Sequence, residues 1–217
     1  MNCIIRENKN WNVKESLMMD GGFDIPAINL KKVFFYPDNI ISLFERFNVK
    51  KQFDLLSVDT DSYDFFMLEA ILDGGYRPRV IIVEVNINFE LDEAKSIMPK
   101  EKDGDWNRWD HTAYHGMSKL AAQYLLNRFS YSLVWCNFCN CIGIQDSILS
   151  QPVRLPIQAF SDPRHNVTGH KCDKQRRPMA IITPEGKYEG ANDEGTGSPR
   201  IRYLLPDINC FFYVLLH

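Results

Sequence analysis

The stretch FDLLSVDTDSYDFFMLEAIL, residues 53–72, decides the fold of this chain. An apolar run from Phe53 to Val58 stops at Asp59. Asp61 and Asp64 follow, and a second apolar run begins at once. The first run is short and dense enough for a buried strand, and the second has the spacing of a helix from about Asp61 to Leu72, stopped by Gly74-Gly75. A strand that turns directly into a helix is half of a βαβ unit. The other half follows in PRVIIVEVN, Pro78 to Asn86. Its β-branched run lacks polar alternation, the pattern of a central parallel strand buried on both faces.

The same alternation extends in both directions. Upstream, SLMMD (Ser16 to Asp20) and KKVFF (Lys31 to Phe35) read as short strands, and DNIISLFERFNV as a helix capped by Asp38. Downstream, a polar, irregular stretch from about Asn88 to Tyr114 precedes the helix GMSKLAAQYLLNRFS, with Met117, Leu120, Tyr124 and Leu125 on its apolar face. YSLVWC and NCIGIQD then form an antiparallel hairpin. The texture changes after Gln151, where prolines, glycines and charges dominate, and NCFFYVLLH reads as a buried last strand. These signals predict an α/β domain over residues 1–150 and a loop-rich extension with a few short strands over 151–217.

With 217 residues, 45% hydrophobic and 24% charged, the chain has the composition of a globular protein with a substantial core. The net charge of -3 gives no electrostatic case for nucleic acid. The basic run KCDKQRRP carries its own Asp173 and reads as a solvated loop. No apolar run approaches the roughly 20 residues of a membrane span, and MNCIIRENKNW is too short in apolar residues for a signal peptide. A cytoplasmic location is the default expectation. The spacing CNFCNC (Cys136, Cys139, Cys141) has the form of a zinc half-site that His165, His170 and Cys172 could complete, although cysteines in strand-like segments are commonly buried thiols.

Parallel strands joined by helices place their carboxyl ends along one sheet edge, where α/β proteins bind ligands. Asp20, Asp59, Glu84 and Asn86 all fall at such ends. Three readings compete for the aspartates. Asp61 or Ser62 could cap the helix, with Asp64 in its first turn favouring the positive end of the helix dipole. A calcium loop of the EF-hand type fails by count, because position six would be Asp64 and position twelve Ala70. The third reading is a substrate or hard-cation site built from Asp59, Asp61, Glu84 and Asn86. A divalent metal is thus possible, though no residue is assigned to one. His111, Tyr114 and His115 precede the third helix, where a histidine could act as general base and Tyr114 could shape a pocket. Trp106 and Trp109 could line that pocket or pin the loop.

With these residues in view, the chain resembles the FkbM-like group of S-adenosylmethionine-dependent methyltransferases. FDLLSVDTDSYDFFMLEAI is similar to the group's LLSID-x-D-G-x-D pattern, YRPRVIIVEVN to YRPRVVVIEYN, and AYHGMSKLAAQYLLNRFSYSLVWCN to Y-x-G-A-S followed by a helix and GY-x-LV-x-CN. The resemblance covers roughly residues 11–149. It implies a Rossmann-like methyltransferase sheet, mostly parallel with an antiparallel C-terminal hairpin and incomplete at its N-terminal side. It implies S-adenosylmethionine as cofactor and methyl transfer to an oxygen of a small molecule or glycan. Asp20, Asp59 and Asp61 would bind the cofactor, Asp59 would stand beside the methyl donor as a candidate base, and Glu84, Asn86 and Tyr114 would line the acceptor pocket. His115 stays a candidate base by its position before the third helix, without support from the group's pattern. Ser62 stands where the group has glycine, and no glycine occurs among the 19 residues before Asp20, where the group carries its glycine-rich cofactor loop. Weak or absent cofactor binding is therefore expected of this chain, and the alternative is a non-catalytic binding module derived from the same sheet.

Overall fold

The computed structural model describes residues 3–5, 30–32, 35–99, 114–161, 178–192 and 214–215. The apolar runs of the opening stretch become strand β3 (Gln52–Val58) and helix α2 (Asp64–Asp73), and β4 (Arg77–Glu84) completes the unit. β3 and β4 pair in parallel from Gln52↔Arg77 to Val58↔Val83, so both carboxyl ends lie at the same edge. α2 is the crossover that a parallel pair requires. It buries Phe65, Phe66, Met67, Leu68, Ile71 and Leu72, and it is sheathed in apolar contacts on almost every side.

Around this unit stand β1 (Cys3–Ile5), β2 (Leu30–Lys32), α1 (Ile40–Arg46), β5 (Lys95–Ile97), α3 (Lys119–Arg128), β6 (Tyr131–Cys136), β7 (Asn140–Gln145), β8 (Met179–Ile182), β9 (Tyr188–Asn192) and β10 (Val214–Leu215). The main sheet has the order β10-β3-β4-β7-β6. It is mixed. The hairpin β6–β7 is antiparallel as expected, but β7 also runs antiparallel to β4, and β10 antiparallel to β3. Within this sheet, the expectation of a mostly parallel arrangement is met only at β3–β4 among the described pairs. The order places β7, the second strand of the hairpin, against β4, so the hairpin folds back across that edge.

β10 falls in the segment read as a last strand, and its pairing covers the outer edge of β3. β1 pairs in parallel with β2 in a separate sheet. The strand expected over Lys31 to Phe35 overlaps β2. β5, β8 and β9 form a third, antiparallel sheet. β5 lies inside the stretch read as irregular. Three residues, two of them polar, carry too little pattern to announce a strand, and its partner β8 is far away in sequence.

The third helix meets the core over a wider face than expected: Met117 and Leu125 are buried as read, and Leu120 and Tyr124 pack against the core. In α3 the fully buried positions are Ala121, Ala122, Leu125 and Leu126, while Leu120 and Tyr124 are half-buried. Small alanines let the helix approach the sheet closely, and the larger side chains turn to its flank. Gly143 of β7 admits that approach, since a Cβ there would lie 2.8 Å from Leu126 Cδ2. Ser118 caps α3 by accepting from the Ala121 amide. The helix α1 begins after Asn39 rather than after Asp38, and the Asn39 side chain accepts from the Tyr36 amide instead of capping the helix. Phe44 and Tyr76 meet edge to face at 4.8 Å and join α1 to the entry of β4. No helix among the described residues is long and apolar enough to cross a membrane.

Candidate functional site

β3 ends at Val58 and α2 begins at Asp64, so residues 59–63 must turn the chain through the sheet edge. Asp61 takes a left-handed backbone, with φ of 57°. Aspartate and asparagine adopt that conformation more readily than other side-chain-bearing residues. This corrects the capping reading. The N-cap of α2 is Tyr63, which makes no side-chain capping bond, and neither Asp61 nor Ser62 holds that position. The turn is held from inside the helix instead. Asp64, wholly buried, accepts from the Thr60 amide on Oδ1 at 2.6 Å.

The turn brings Asp59 and Asp61 against Glu84, the last residue of β4. One carboxylate oxygen from each lies within 4.8 Å of the other two. Asp59 and Asp61 are half-buried and Glu84 is 8% exposed. Three carboxylates this close could hold a metal ion. Burial pushes the Glu84 carboxyl well above the usual carboxylate range, and the charges of Asp59, Asp64, Asp61 and Cys139 add to it. Asp64 rises from 3.8 to about 6, mainly by burial. The Thr60 amide pulls against that rise, and the Asp61 charge reinforces it. The edge is therefore acidic, partly desolvated and suited to a cation or to a proton.

The remaining expected site residues divide. Asn86 is 1% exposed, and its side chain works on main chain. Its Nδ2 donates to the His115 carbonyl at 2.7 Å, and its Oδ1 accepts from the Asn88 amide at 2.8 Å. His115 is thereby placed beside the end of β4, with its ring half-buried. Gly116 follows with φ of 57°, and a Cβ on it would lie 3.6 Å from Asp64 Oδ2 and 3.8 Å from Asn86 Cβ. The structure thus brings Asp59, Asp61, Glu84, Asn86 and the His115 main chain to one edge. Tyr114 is buried at a different junction. Its hydroxyl accepts from the Met98 amide and donates to the Pro178 carbonyl, both at 3.0 Å, which ties β5 to the start of β8. Asp20, Trp106, Trp109 and His111 lie outside the described residues.

The cysteine motif is resolved by the hairpin register. Cys136 and Cys141 are cross-strand partners with Cα atoms 4.1 Å apart, and they form a disulfide. Both sulfurs are consumed, so the zinc half-site does not stand. His165, His170 and Cys172 lie outside the described residues. Cys139, in the turn of the hairpin, stands outside this disulfide; its Sγ accepts from Asn140 Nδ2 at 3.3 Å, and it lies close enough to Glu84 to interact with it electrostatically.

Sequence reasoning left Asp64 to the helix alone and did not place Cys139 near the acidic edge. For Asp64 the signal was present. An aspartate at helical spacing from Met67, Leu68 and Ile71 shares their apolar face, away from the side that carries Glu69 and Asp73. No protein-family model matches the chain, and no curated protein or solved structure matches it either.

Proposed function

We propose that the edge formed by Asp59, Asp61 and Glu84 is the acceptor side of an S-adenosylmethionine-dependent O-methyl-transfer site, of the kind the FkbM-like resemblance implies. The acceptor would be a hydroxyl of a small molecule or glycan. The observation that carries this reading is the meeting of these three carboxylates at the carboxyl ends of the parallel pair β3–β4. S-adenosylmethionine, when bound, supplies the methyl group. The chain's own residues orient the acceptor and manage its proton. Asp59, half-buried at the end of β3, accepts a hydrogen bond from the hydroxyl and takes its proton as the oxygen loses it. Glu84 and Asp61 add negative charge that favours a cationic donor beside the acceptor. Asn86 fixes the His115 segment over the same edge, so the geometry works mainly through positioning.

One observation favours a second reading, a binding module without catalysis. In the implied fold the first strand lies beside the strand that ends in Asp59, whereas here that neighbour is β10, running antiparallel to β3. Calorimetry separates the two. Micromolar binding of S-adenosylmethionine, followed by transfer of its labelled methyl group to a hydroxylated acceptor, supports methyl transfer. No binding at millimolar concentration, together with retained binding of a glycan or small polyol, leaves the module.

A further inference from the structure

We propose that Asp59, Asp61 and Glu84 form a binding site for one hard divalent cation, of the calcium, manganese or magnesium class, with Asp64 standing directly behind them. This site does not depend on methyl transfer. Two oxygens bound to one calcium ion at about 2.3–2.6 Å can be at most about 5 Å apart. The three carboxylates already lie within 4.8 Å of one another, so a calcium-sized ion is accommodated with the side chains almost where they stand. The smaller magnesium ion, at about 2.0–2.1 Å, requires them to close further. The donors are carboxylate oxygens, which select hard cations over soft ones.

Asp64 is a second observation, independent of that spacing. Its side chain is wholly buried, and Oδ2 receives no hydrogen bond among the described residues. A carboxylate oxygen with no donor at zero exposure is costly unless a charge compensates it. Oδ1 is fixed on the amide of Thr60, the residue between Asp59 and Asp61, so the carboxyl group sits against the turn that carries two of the ligands. It is close enough to interact electrostatically with both Asp61 and Glu84. A dication bound by the three front carboxylates supplies positive charge to the same electrostatic cluster. The capping reading is removed for Asp61, because the N-cap of α2 is Tyr63, whereas Asp64 does stand in the first turn of the helix.

The test uses the full chain freed of metal with EDTA. Manganese is titrated with free ion read by electron paramagnetic resonance, and calcium and magnesium are titrated by calorimetry. One saturable manganese site per chain, displaced by calcium, is the expected result, with a rise in thermal midpoint on loading. Asp61→Asn keeps a side chain suited to the left-handed backbone and removes one ligand charge. It and Glu84→Gln should each weaken binding at least tenfold and abolish the thermal rise. Asp54→Asn, an exposed carboxylate near the opposite end of β3, should leave binding unchanged. The absence of a saturable site on the wild-type chain at millimolar manganese, calcium and magnesium overturns the proposal. So does unchanged affinity in a folded Asp61→Asn or Glu84→Gln chain. The wild-type titration decides the matter even if a variant fails to fold.

Discussion

Replacing Asp64 by asparagine should stabilise the metal-free protein, and only above a defined pH. Asp64 has an ordinary pKa of 3.8 that rises to about 6 in the fold. A rise of this size corresponds to about 3 kcal/mol between the two protonation states. The folded state holds the proton more tightly than the unfolded chain, so stability falls as pH rises from about 4 to about 6 and stays low above that. Asparagine keeps an oxygen to accept from the Thr60 amide, and its NH2 stands where Oδ2 stood, near the carboxylates of Asp61 and Glu84. It has no charge to lose. The variant should therefore match the wild type near pH 4 and exceed it by up to about 3 kcal/mol at pH 7.5, in EDTA. Urea unfolding followed by tryptophan fluorescence at a series of pH values measures the difference. Saturating calcium should shrink the gain, because the cation stabilises the wild-type cluster. A variant no more stable than the wild type at pH 7.5, or a gain that does not vary with pH, refutes the reasoning.

Three further outcomes test the fold. Gly186→Ala should cost more than about 2 kcal/mol, because the new Cβ would lie 2.5 Å from the Tyr124 carbonyl oxygen at a φ of +70°; an unchanged urea midpoint counts against that packing. Arg128→Ala should cost about 1–3 kcal/mol, since Arg128 pairs with Glu69 at 2.6 Å and also donates to Asp73 and the Gly186 carbonyl. A double-mutant cycle with Glu69→Gln should show that the two losses are not additive. Alkylation before and after reduction should add labels at Cys136 and Cys141 only after reduction, and Cys136→Ala with Cys141→Ala should cost about 2 kcal/mol, the loop being short.

The two central strands were legible because β-branched residues in PRVIIVEVN and the closed apolar run in FDLLSVD leave little else to form. The acidic edge was legible for the same reason, since a strand's last residue inherits its position from the strand. The turn after Asp59 was not. Whether an aspartate caps a helix or occupies a left-handed bend depends on the exit angle of β3, and tertiary packing sets that angle. The face of α3 was read only in part: hydrophobicity points to Met117, Leu125 and the flanking Leu120 and Tyr124, whereas Ala121 and Ala122 are too weakly apolar to announce their burial. The cysteines illustrate a third limit: CNFCNC fits a metal by spacing, and only the register of β6 on β7 places Cys136 opposite Cys141.

Residues 115–117 act as a mechanical coupling. The His115 carbonyl is gripped by Asn86, the Gly116 carbonyl receives the Ile97 amide, and the Gly116 amide donates to the Ser62 carbonyl within the acidic turn. Met117 receives the Asn86 amide and bridges to Ser96 of β5. The small sheet β5–β8–β9 and the turn that carries Asp61 are thus geared together through three consecutive peptide units. A ligand that fixes the acidic turn should therefore also slow amide exchange at Ile97 and Gly116, whose hydrogen bonds join the turn to the small sheet.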